Sequence, residues 1–587
     1  MRKEENNMAI EVKTPWLNNY GDVRFHIPYF QGSMWENVMD AAHKYPDYIA
    51  FDFMGKKTTY RDFEKQVNDC AKALCAQGVK PGQRVTICMP NCPQTVVMFY
   101  AVNAIGAIAN MIHPLSSEKE IEFYINHSKS VLALTVDMFY SKFEAIKDDI
   151  KLDTLVITSI KDALSVPMKL GYSLTEGRKI AKLPKDAPIV KWNDFIKKGK
   201  SYTGKYIAKV NKDDPAVILY SGGTTGTTKG ILLSHFNFSA LTAQLFETNP
   251  MAQAGDKMLA VMPMFHGFGL GVTIHAMLAN GGRCILVPRF TPETYAKDIV
   301  KHRCNFIAGV PTLYEALLRQ PSMDGADLSC LKGVFSGGDS LSVELKKRFD
   351  KWLADHGATI KVREGYGTTE CVTASCLTPM HLYKEGSIGQ PFPDTYYKIV
   401  DVGTNIEVPY GQEGEICISG PSVMLGYLDQ PEETANTLRK HGDGRIWLHT
   451  GDLGIMDEEG FIYFKQRIKR MIITSGYNVY PSQLENILDG FESVQMSCVI
   501  GVPDPYKMQK IKAFVTLKAG YEPTEETKQS ILAYCKKNIA KYAMPYDIEF
   551  RDSLPKTLVG KVAYRVLEEE ELKKIAESEK ADSPVTV

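Results

Sequence analysis

Eleven consecutive residues, Tyr220-Ser221-Gly222-Gly223-Thr224-Thr225-Gly226-Thr227-Thr228-Lys229-Gly230, concentrate glycines, hydroxyl groups and one cation in a single loop. Glycine lets backbone N–H groups converge on an anion with no Cβ in the way, and the Thr hydroxyls and Lys229 add donors and charge. The chemistry on offer is phosphate binding. The spacing differs from the Gly-x-x-x-x-Gly-Lys-Ser/Thr loop, whose lysine directly follows a glycine and precedes a magnesium-holding hydroxyl; here Lys229 stands between Thr228 and Gly230. An ordinary Gly/Thr surface turn fits the same residues equally well, so other motifs must decide.

The loop needs elements to hold it. Ala216-Val217-Ile218-Leu219-Tyr220 reads as a buried strand, and Gly230-Ile231-Leu232-Leu233-Ser234-His235 resumes strand character, which makes the loop a strand-to-strand flap. From 58 to 287, apolar strand-like runs (84–89, 131–136, 257–261) alternate with amphipathic helical runs, the pattern of α/β layers. The stretch 96–112 comes closest to a membrane span, but Asn103, Gly106 and Asn110 interrupt it, and a buried helix followed by a core strand is expected. Segment 139–206 interleaves basic and apolar residues, as in Met168-Lys169-Leu170 and Arg178-Lys179-Ile180; it reads as a solvated insertion, with contact to a membrane surface the alternative. A cationic run, Gln466-Arg467-Ile468-Lys469-Arg470, lies between strand-like 461–464 and 471–474 and marks a domain boundary: 1–466, a hinge at 467–470, and 471–587. Alternating strands and helices over 494–550 suffice for a small α+β unit, and 568–580 reads as a frayed, solvated helix and tail.

At 587 residues the chain is long enough for about three or four domain-sized units. Charged residues make up 24 % and cancel to a net charge of zero, so no bulk field favours nucleic acid. The 12 cysteines contain no Cys-x-x-Cys pair and no zinc-like spacing, which fits reduced thiols and predicts neither disulfide nor structural metal. The N-terminus lacks an apolar signal core, and a cytoplasmic location is expected, with the inner membrane face as a peripheral alternative. The oligomeric state is left open, a homodimer among the options.

Four more motifs follow the flap in order: Glu364-Gly365-Tyr366-Gly367-Thr368-Thr369-Glu370; His449-Thr450-Gly451-Asp452; the cationic boundary with Ser475-Gly476-Tyr477-Asn478; and Leu554-Pro555-Lys556-Thr557-Leu558-Val559-Gly560-Lys561. Together they resemble the adenylate-forming superfamily of acyl-CoA synthetases, nonribosomal-peptide adenylation domains and luciferases, from about residue 35 to 568. The resemblance implies an α/β fold: a large N-terminal domain of layered sheets with a β-barrel-like subdomain, and a small mobile α+β C-terminal domain. It also implies a reaction. A carboxylate is a poor electrophile, and AMP donated by ATP makes it open to a thiol. Transition-state charge then spreads over phosphate oxygens, so the enzyme needs donors, a cation and a metal rather than its own nucleophile.

By the same resemblance, Ser221, Gly222, Gly223, Thr224, Thr225, Gly226, Thr227, Thr228 and Lys229 grip the β and γ phosphates, Thr369 donates to the α-phosphate, and Glu370 holds Mg²⁺. Tyr366, beside Gly367, stacks near adenine, whose site Gly337, Gly338 and Asp339 line. Asp452 accepts both ribose hydroxyls and Arg467 helps hold the ribose. Lys561 bridges the attacking carboxylate and the phosphate during adenylation. Lys469 is the hinge residue, and after rotation Gly476 and Tyr477 replace Lys561 and form the pantetheine passage for coenzyme A. Taken singly, Glu370 reads as a surface carboxylate and Lys561 as a solvated turn lysine; the motif context carries both assignments.

The sequence departs from the common pattern at Gly222, where Ser is usual, and Thr228, where Pro is usual, though a Gly-Gly variant occurs among bacterial long-chain acyl-CoA ligases. The missing proline predicts a looser flap and weaker ATP binding. Gln466 and Arg470 also depart from the usual hinge. Met262-Pro263-Met264-Phe265-His266-Gly267-Phe268-Gly269 matches the entrance to the acyl pocket, with His266 flanking the substrate carboxylate; a core histidine is the alternative. Glycines 267, 269 and 271 are expected to leave room for a long or bulky tail, and an apolar acid is favoured. Thr14-Pro15-Trp16-Leu17 and the long segment before the flap resemble long-chain fatty-acid CoA ligases in particular, which implies ATP-dependent ligation of a medium- or long-chain fatty acid to coenzyme A. Ligases for aryl or steroid acids, ligases loading a carrier protein, and a silent nucleotide- or acyl-binding relative stay open.

Overall fold

The computed structural model describes residues 11–582 apart from 182, 185, 221–227, 475–476, 505 and 558–559. Strand formation follows the apolar runs. Ile108–Ile112 and Leu132–Val136 are buried at every position, as parallel strands covered on both faces must be. They belong to an eight-stranded sheet, ordered Gly426–Tyr427, Gly230–Ser234, Pro215–Tyr220, Ile108–Ile112, Arg84–Cys88, Leu132–Val136, Thr154–Thr158, Val190–Lys191. Within it Pro215–Tyr220 and Gly230–Ser234 pair antiparallel, so the flap joins two strands as expected; its tip, 221–227, lies outside the described residues. Helix Pro93–Ala104 is buried all round from Gln94 onward and leads into Ile108–Ile112, so 96–112 is a core helix and strand. Among the described residues no helix is long and apolar enough to cross a membrane.

A second sheet of nine strands has Val362–Tyr366, Gly333–Ser336, Phe306–Gly309 and Lys257–Ala260 side by side and parallel at its centre. One apolar core, including Trp35, Phe63, Tyr100, Phe238 and Leu270, joins the two sheets through the helices between them. The barrel-like part is a five-stranded antiparallel unit, Tyr396–Val400, Glu413–Ser419, Leu438–Lys440, Ile446–Met456 and Ile462–Arg467, packed around Trp16, Tyr397, Ile416, Ile418 and Leu448. Beyond the 3-10 turn Ile468–Arg470, strands Val494–Asp504 and Met508–Leu517 and helices Pro481–Asp489 and Glu525–Asn538 enclose a separate core of Leu484, Leu488, Val499, Val515 and Ile531. The fold is therefore mixed α/β, with a large N-terminal part and a small α+β C-terminal part.

Two local expectations are corrected. Helix Tyr564–Asp582 is not a frayed solvated tail: Leu567 is fully buried, and Glu571 pairs with Lys512 at 2.8 Å, because one face docks on strand Val494–Asp504 and its neighbour. Segment 139–206 is only partly a solvated insertion. Thr154–Thr158 adds a parallel strand to the sheet, and helix Trp192–Lys200 packs through Gly199 on helix Tyr60–Ala76, where a Cβ would meet the Asp69 carbonyl at 2.4 Å. Helix Val166–Leu174 has no buried residue.

Candidate active site

Strands Ile446–Met456 and Ile462–Arg467 pair so that Asp452 faces Arg467, and the end of strand Val362–Tyr366 brings a phenol to the same point. The Tyr366 hydroxyl donates to Asp452 Oδ2 at 2.6 Å, and Arg467 Nε lies 3.5 Å from Oδ1. Asp452 is 1 % exposed and Oδ1 has no hydrogen-bond partner, the orphaned acceptor that a bound hydroxyl would satisfy. Burial raises the pKa of Asp452, while Arg467 and Tyr366 oppose the rise; Asp452 in turn raises that of Arg467. Phe464 leans on the Tyr366 ring at 5.8 Å.

Glu370 lies in the 3-10 turn Thr369–Cys371, and its Oε1 accepts the Tyr427 hydroxyl at 3.0 Å. Its charge reaches Asp452 and Arg467. Lys229 reaches the same region from the flap: it forms an ion pair with Glu433 and sits 4.7 Å over the Tyr427 ring. Thr228 and Lys229 are the described residues at the end of the flap, whereas Ser221, Gly222, Gly223, Thr224, Thr225, Gly226 and Thr227 lie outside the described residues. The turn closes on Val372 at φ 66° and ψ −53°, where the Thr373 amide donates to the Cys371 carbonyl at 2.8 Å. For a β-branched residue this γ-turn is a strained conformation, held here because Val372 is fully buried.

Lys561 arrives from the C-terminal part. Its Cε and Nζ would lie 3.4 and 3.9 Å from a Cβ on Gly338, and the Thr312 hydroxyl anchors the same loop by donating to the Gly560 carbonyl at 3.0 Å. Burial lowers the Lys561 ammonium below the usual lysine range, and Asp339 and Asp452 oppose that shift. His266 is pushed down to about 3 by burial and then by the Lys561 charge, so its imidazole is neutral. Its Nδ1 accepts the Phe268 amide at 3.1 Å, which leaves the proton on Nε2.

Gly337 and Gly338 also border a narrow cavity of about 30 Å³, partly open to solvent, lined by Leu245, Phe268, Val272, Phe335, Leu377 and Phe392. The buried Ser336 hydroxyl on its wall has no partner. The cavity owes nothing to the space at Gly267, Gly269 and Gly271, which corrects the expectation for those glycines. A Cβ on Gly267 would lie 1.6 Å from the Val372 carbonyl oxygen, on Gly269 2.1 Å from the Pro263 carbonyl oxygen, and on Gly271 3.1 Å from Val372 Cγ1. Neighbouring backbone fills that space at Gly267 and Gly269, and the Val372 and Leu241 side chains fill it at Gly271. A π-helix, Phe268–His275, results, a geometry that recurs at functional sites.

The structure thus brings together Gly337, Gly338, Asp339, Tyr366, Gly367, Thr369, Glu370, Asp452, Arg467 and Lys561, with His266 within reach of the Lys561 charge. Tyr477 is elsewhere: half exposed, it stacks on Tyr542 at 4.5 Å, and Gly476 lies outside the described residues. Lys469 sits in the 3-10 turn with its charge reaching Glu433. Its two departing neighbours are both held in the structure. Arg470 is held by Glu485 and by the Val499 carbonyl at 3.3 Å, and Gln466 is a buried strand residue. Tyr427, Glu433 and Val372 were not legible as site residues; only Gly426-Tyr427, a glycine at a strand position, hints at close approach.

Comparison with known proteins agrees with this geometry. The model of the family described as AMP-binding enzyme matches residues 38–428, and that of the AMP-binding enzyme C-terminal domain matches 483–561. The chain belongs to the AMP-binding enzyme family. It is 37 % identical over 574 residues to a long-chain-fatty-acid–CoA ligase of Bacillus subtilis, covering 96 % of this chain and 99 % of the relative. To a long-chain-fatty-acid–CoA ligase of Escherichia coli it is 33 % identical, covering 95 % and 98 %. Among solved structures, a benzoate CoA ligase from Burkholderia xenovorans superposes with a TM-score of 0.77 at 22 % identity, covering 91 % of this chain and 99 % of that one, a likeness of fold.

Proposed function

We propose that this AMP-binding enzyme joins a medium- or long-chain fatty acid to coenzyme A through an acyl-adenylate, releasing pyrophosphate and then AMP. The observation that carries the reading is the arrival of Lys561 at Gly338, which also lines the apolar cavity, within electrostatic reach of Asp452 and Arg467. The names of the relatives quoted above support the same acid class.

In this reading Asp452 accepts the ribose hydroxyls, the Tyr366 hydroxyl and Arg467 hold its carboxylate, and adenine lies against Gly337, Gly338 and Asp339. Lys229 gives up Glu433 for the β and γ phosphates, with the flap residues from Ser221 to Thr228 adding donors. Thr369 donates to the α-phosphate. Glu370 holds Mg²⁺, which when bound neutralises charge on the phosphate oxygens. The neutral His266 donates from Nε2 to the acid carboxylate and positions it. Lys561 bridges that carboxylate and the phosphate as the carboxylate oxygen attacks the α-phosphorus and the bond to pyrophosphate breaks. Rotation about 467–470, with Lys469 as hinge, then withdraws Lys561 and brings Gly476 and Tyr477 to the site. The coenzyme A thiolate attacks the acyl carbon, and AMP leaves.

The test is to mix the protein with Mg-ATP and a panel of fatty, aromatic and steroid acids, with and without coenzyme A, and to identify products by mass spectrometry. Acyl-CoA from fatty acids is expected. Adenylate that coenzyme A cannot discharge, or product from aryl or steroid acids alone, would overturn the substrate assignment.

A specific surface favours peripheral contact with lipid. Val166, Leu170 and Leu174 form an i, i+4, i+8 stripe on helix Val166–Leu174, exposed at 84 %, 66 % and 52 %, among exposed Lys161, Lys169, Arg178 and Lys179. Apolar side chains amid cations suit an anionic bilayer surface. Sedimentation with phosphatidylglycerol vesicles is expected, and should disappear in a Val166→Ser/Leu170→Ser/Leu174→Ser variant; equal sedimentation of both proteins refutes the contact.

A further inference from the structure

The strand pair that presents Asp452 is out of register at that point. Glu415 faces Leu453 and Cys417 faces His449, so Thr450, Gly451 and Asp452 stand opposite Ile416 alone. Such a bulge re-aims side chains beside functional sites, and it also strips backbone groups of their ladder partners. Here side chains replace them. The Gly451 amide, at a residue with φ 70°, donates to Glu415 Oε1 at 2.9 Å; the Thr450 hydroxyl donates to the Ile416 carbonyl at 2.8 Å and accepts the Asp452 amide at 3.1 Å.

Behind Glu415 lies a buried relay. His449 Nδ1 donates to Glu415 Oε2 at 2.8 Å, and His449 Nε2 meets His441 Nε2 at 3.0 Å. All three residues are buried, and His441 stacks on Trp447. Against burial, the His449 hydrogen bond and the Gly451 amide hold Glu415 below the ordinary carboxylate range, so it is an ionised acceptor on both oxygens. Burial pushes His441 down to about 4, so it is a neutral imidazole. The hydrogen bonds link His441 through His449 to Glu415, with the Gly451 amide converging on the same carboxylate.

We propose that Glu415, His449 and His441 are positioning residues for nucleotide recognition, fixing the bulge that aims Asp452 at the ribose. The inference rests on Asp452 as the ribose ligand. None of the three touches the nucleotide; each acts through the Gly451 amide. Glu415, Cys417 and His449 are also the one group among the described residues whose ligand atoms crowd closely enough for a metal ion, so a cation is the competing occupant.

The experiment compares ATP with 2′-deoxy-ATP in the adenylation half-reaction for wild type, Glu415→Gln, His449→Leu, His449→Asn and Asp452→Ala. Glu415→Gln and His449→Leu should raise KM for ATP about tenfold with kcat and the KM for the acid within about twofold. The penalty should shrink for 2′-deoxy-ATP, because the misplaced carboxylate has one hydroxyl less to lose. His449→Asn, whose amide can still donate to Glu415, should stay within about threefold of wild type and keeps the test open where Glu415→Gln does not fold. Equal losses with both nucleotides, or no change in KM, overturn the positioning role. If Asp452→Ala leaves KM for ATP unchanged, the ribose assignment itself fails. Metal analysis of the purified protein should find no stoichiometric ion; one zinc per chain would replace the relay with a metal site.

Discussion

Replacing Gly267 by alanine tests the contact between the acyl entrance and the phosphate turn. A Cβ at 267 would lie 1.6 Å from the Val372 carbonyl oxygen, whereas real Cβ contacts essentially never fall under 3.0 Å, so the two backbones must part by about 1.4 Å, the difference between those distances. Thr373 Cβ, at 3.2 Å, blocks sideways escape. Val372 already occupies a strained γ-turn, so the displacement passes to the preceding residues, Thr369 and Glu370. A misplacement of about 1 Å in a catalytic constellation costs on the order of 10²-fold, which is about 2.7 kcal/mol of barrier. Overpacking should also cost about 1–3 kcal/mol of stability. The assay is pyrophosphate release with Mg-ATP and saturated acids of graded length. Gly171→Ala, an exposed helical position with open space around it, serves as control and should match wild type. For Gly267→Ala, kcat/KM should fall about 100-fold for short and long acids alike, with the circular dichroism spectrum retained. Activity within about threefold of wild type refutes the wedge, and loss confined to long acids restores the view that Gly267 makes room for the tail.

Lys561→Ala should slow adenylation by about 10²–10³-fold while preformed acyl-adenylate still reacts with coenzyme A; an unchanged adenylation rate would remove Lys561 from the mechanism. Because burial lowers the Lys561 ammonium, its proton leaves as pH rises before the usual lysine value of about 10.4. The kcat/KM of adenylation should therefore have an alkaline limb below that pH, and Lys561→Arg should move it upward; a limb that stays in place belongs to another group. Lys469→Pro should spare adenylate formation and block thioester release, and equal loss of both steps contradicts a hinge there. In the C-terminal part, Lys512 and Lys574 overcome burial and hold Glu549 down to about 2. Its folded value lies below the unfolded one of about 4.3, so the stability it adds is complete above that pH and is lost as pH falls through about 2. Acid titration of denaturant midpoints should show this loss in wild type and a smaller one in Lys512→Met; superimposed curves would contradict it.

Much of this was legible in one dimension. The strands on either side of the flap, the buried helix and strand of 93–112, and the α+β unit after the cationic run all follow from local periodicity, because a run of apolar side chains must be covered wherever it lies. The motifs likewise announced the family, since hydroxyl-rich glycine loops and isolated Asp, Glu and Lys residues at those spacings have few other uses in combination. Local pattern fails where the partner is remote. Tyr366 and Asp452 are 86 residues apart, and Lys229 and Glu433 are 204 apart, so neither pairing leaves a trace in its own neighbourhood. The charged residues of 568–580 suggested solvent, but Lys512 lies beneath Glu571 and turns a carboxylate inward. Glycines 267 and 269 are the sharpest case. Their identity states that a Cβ is not tolerated, and only the packing of the Val372 turn and of Pro263 against them shows that the vacated space belongs to the protein's own backbone rather than to its substrate. Sequence by itself determined which segments must be buried and which chemistry they carry; tertiary structure decided what meets what, because contact depends on chain crossings that local spacing does not encode.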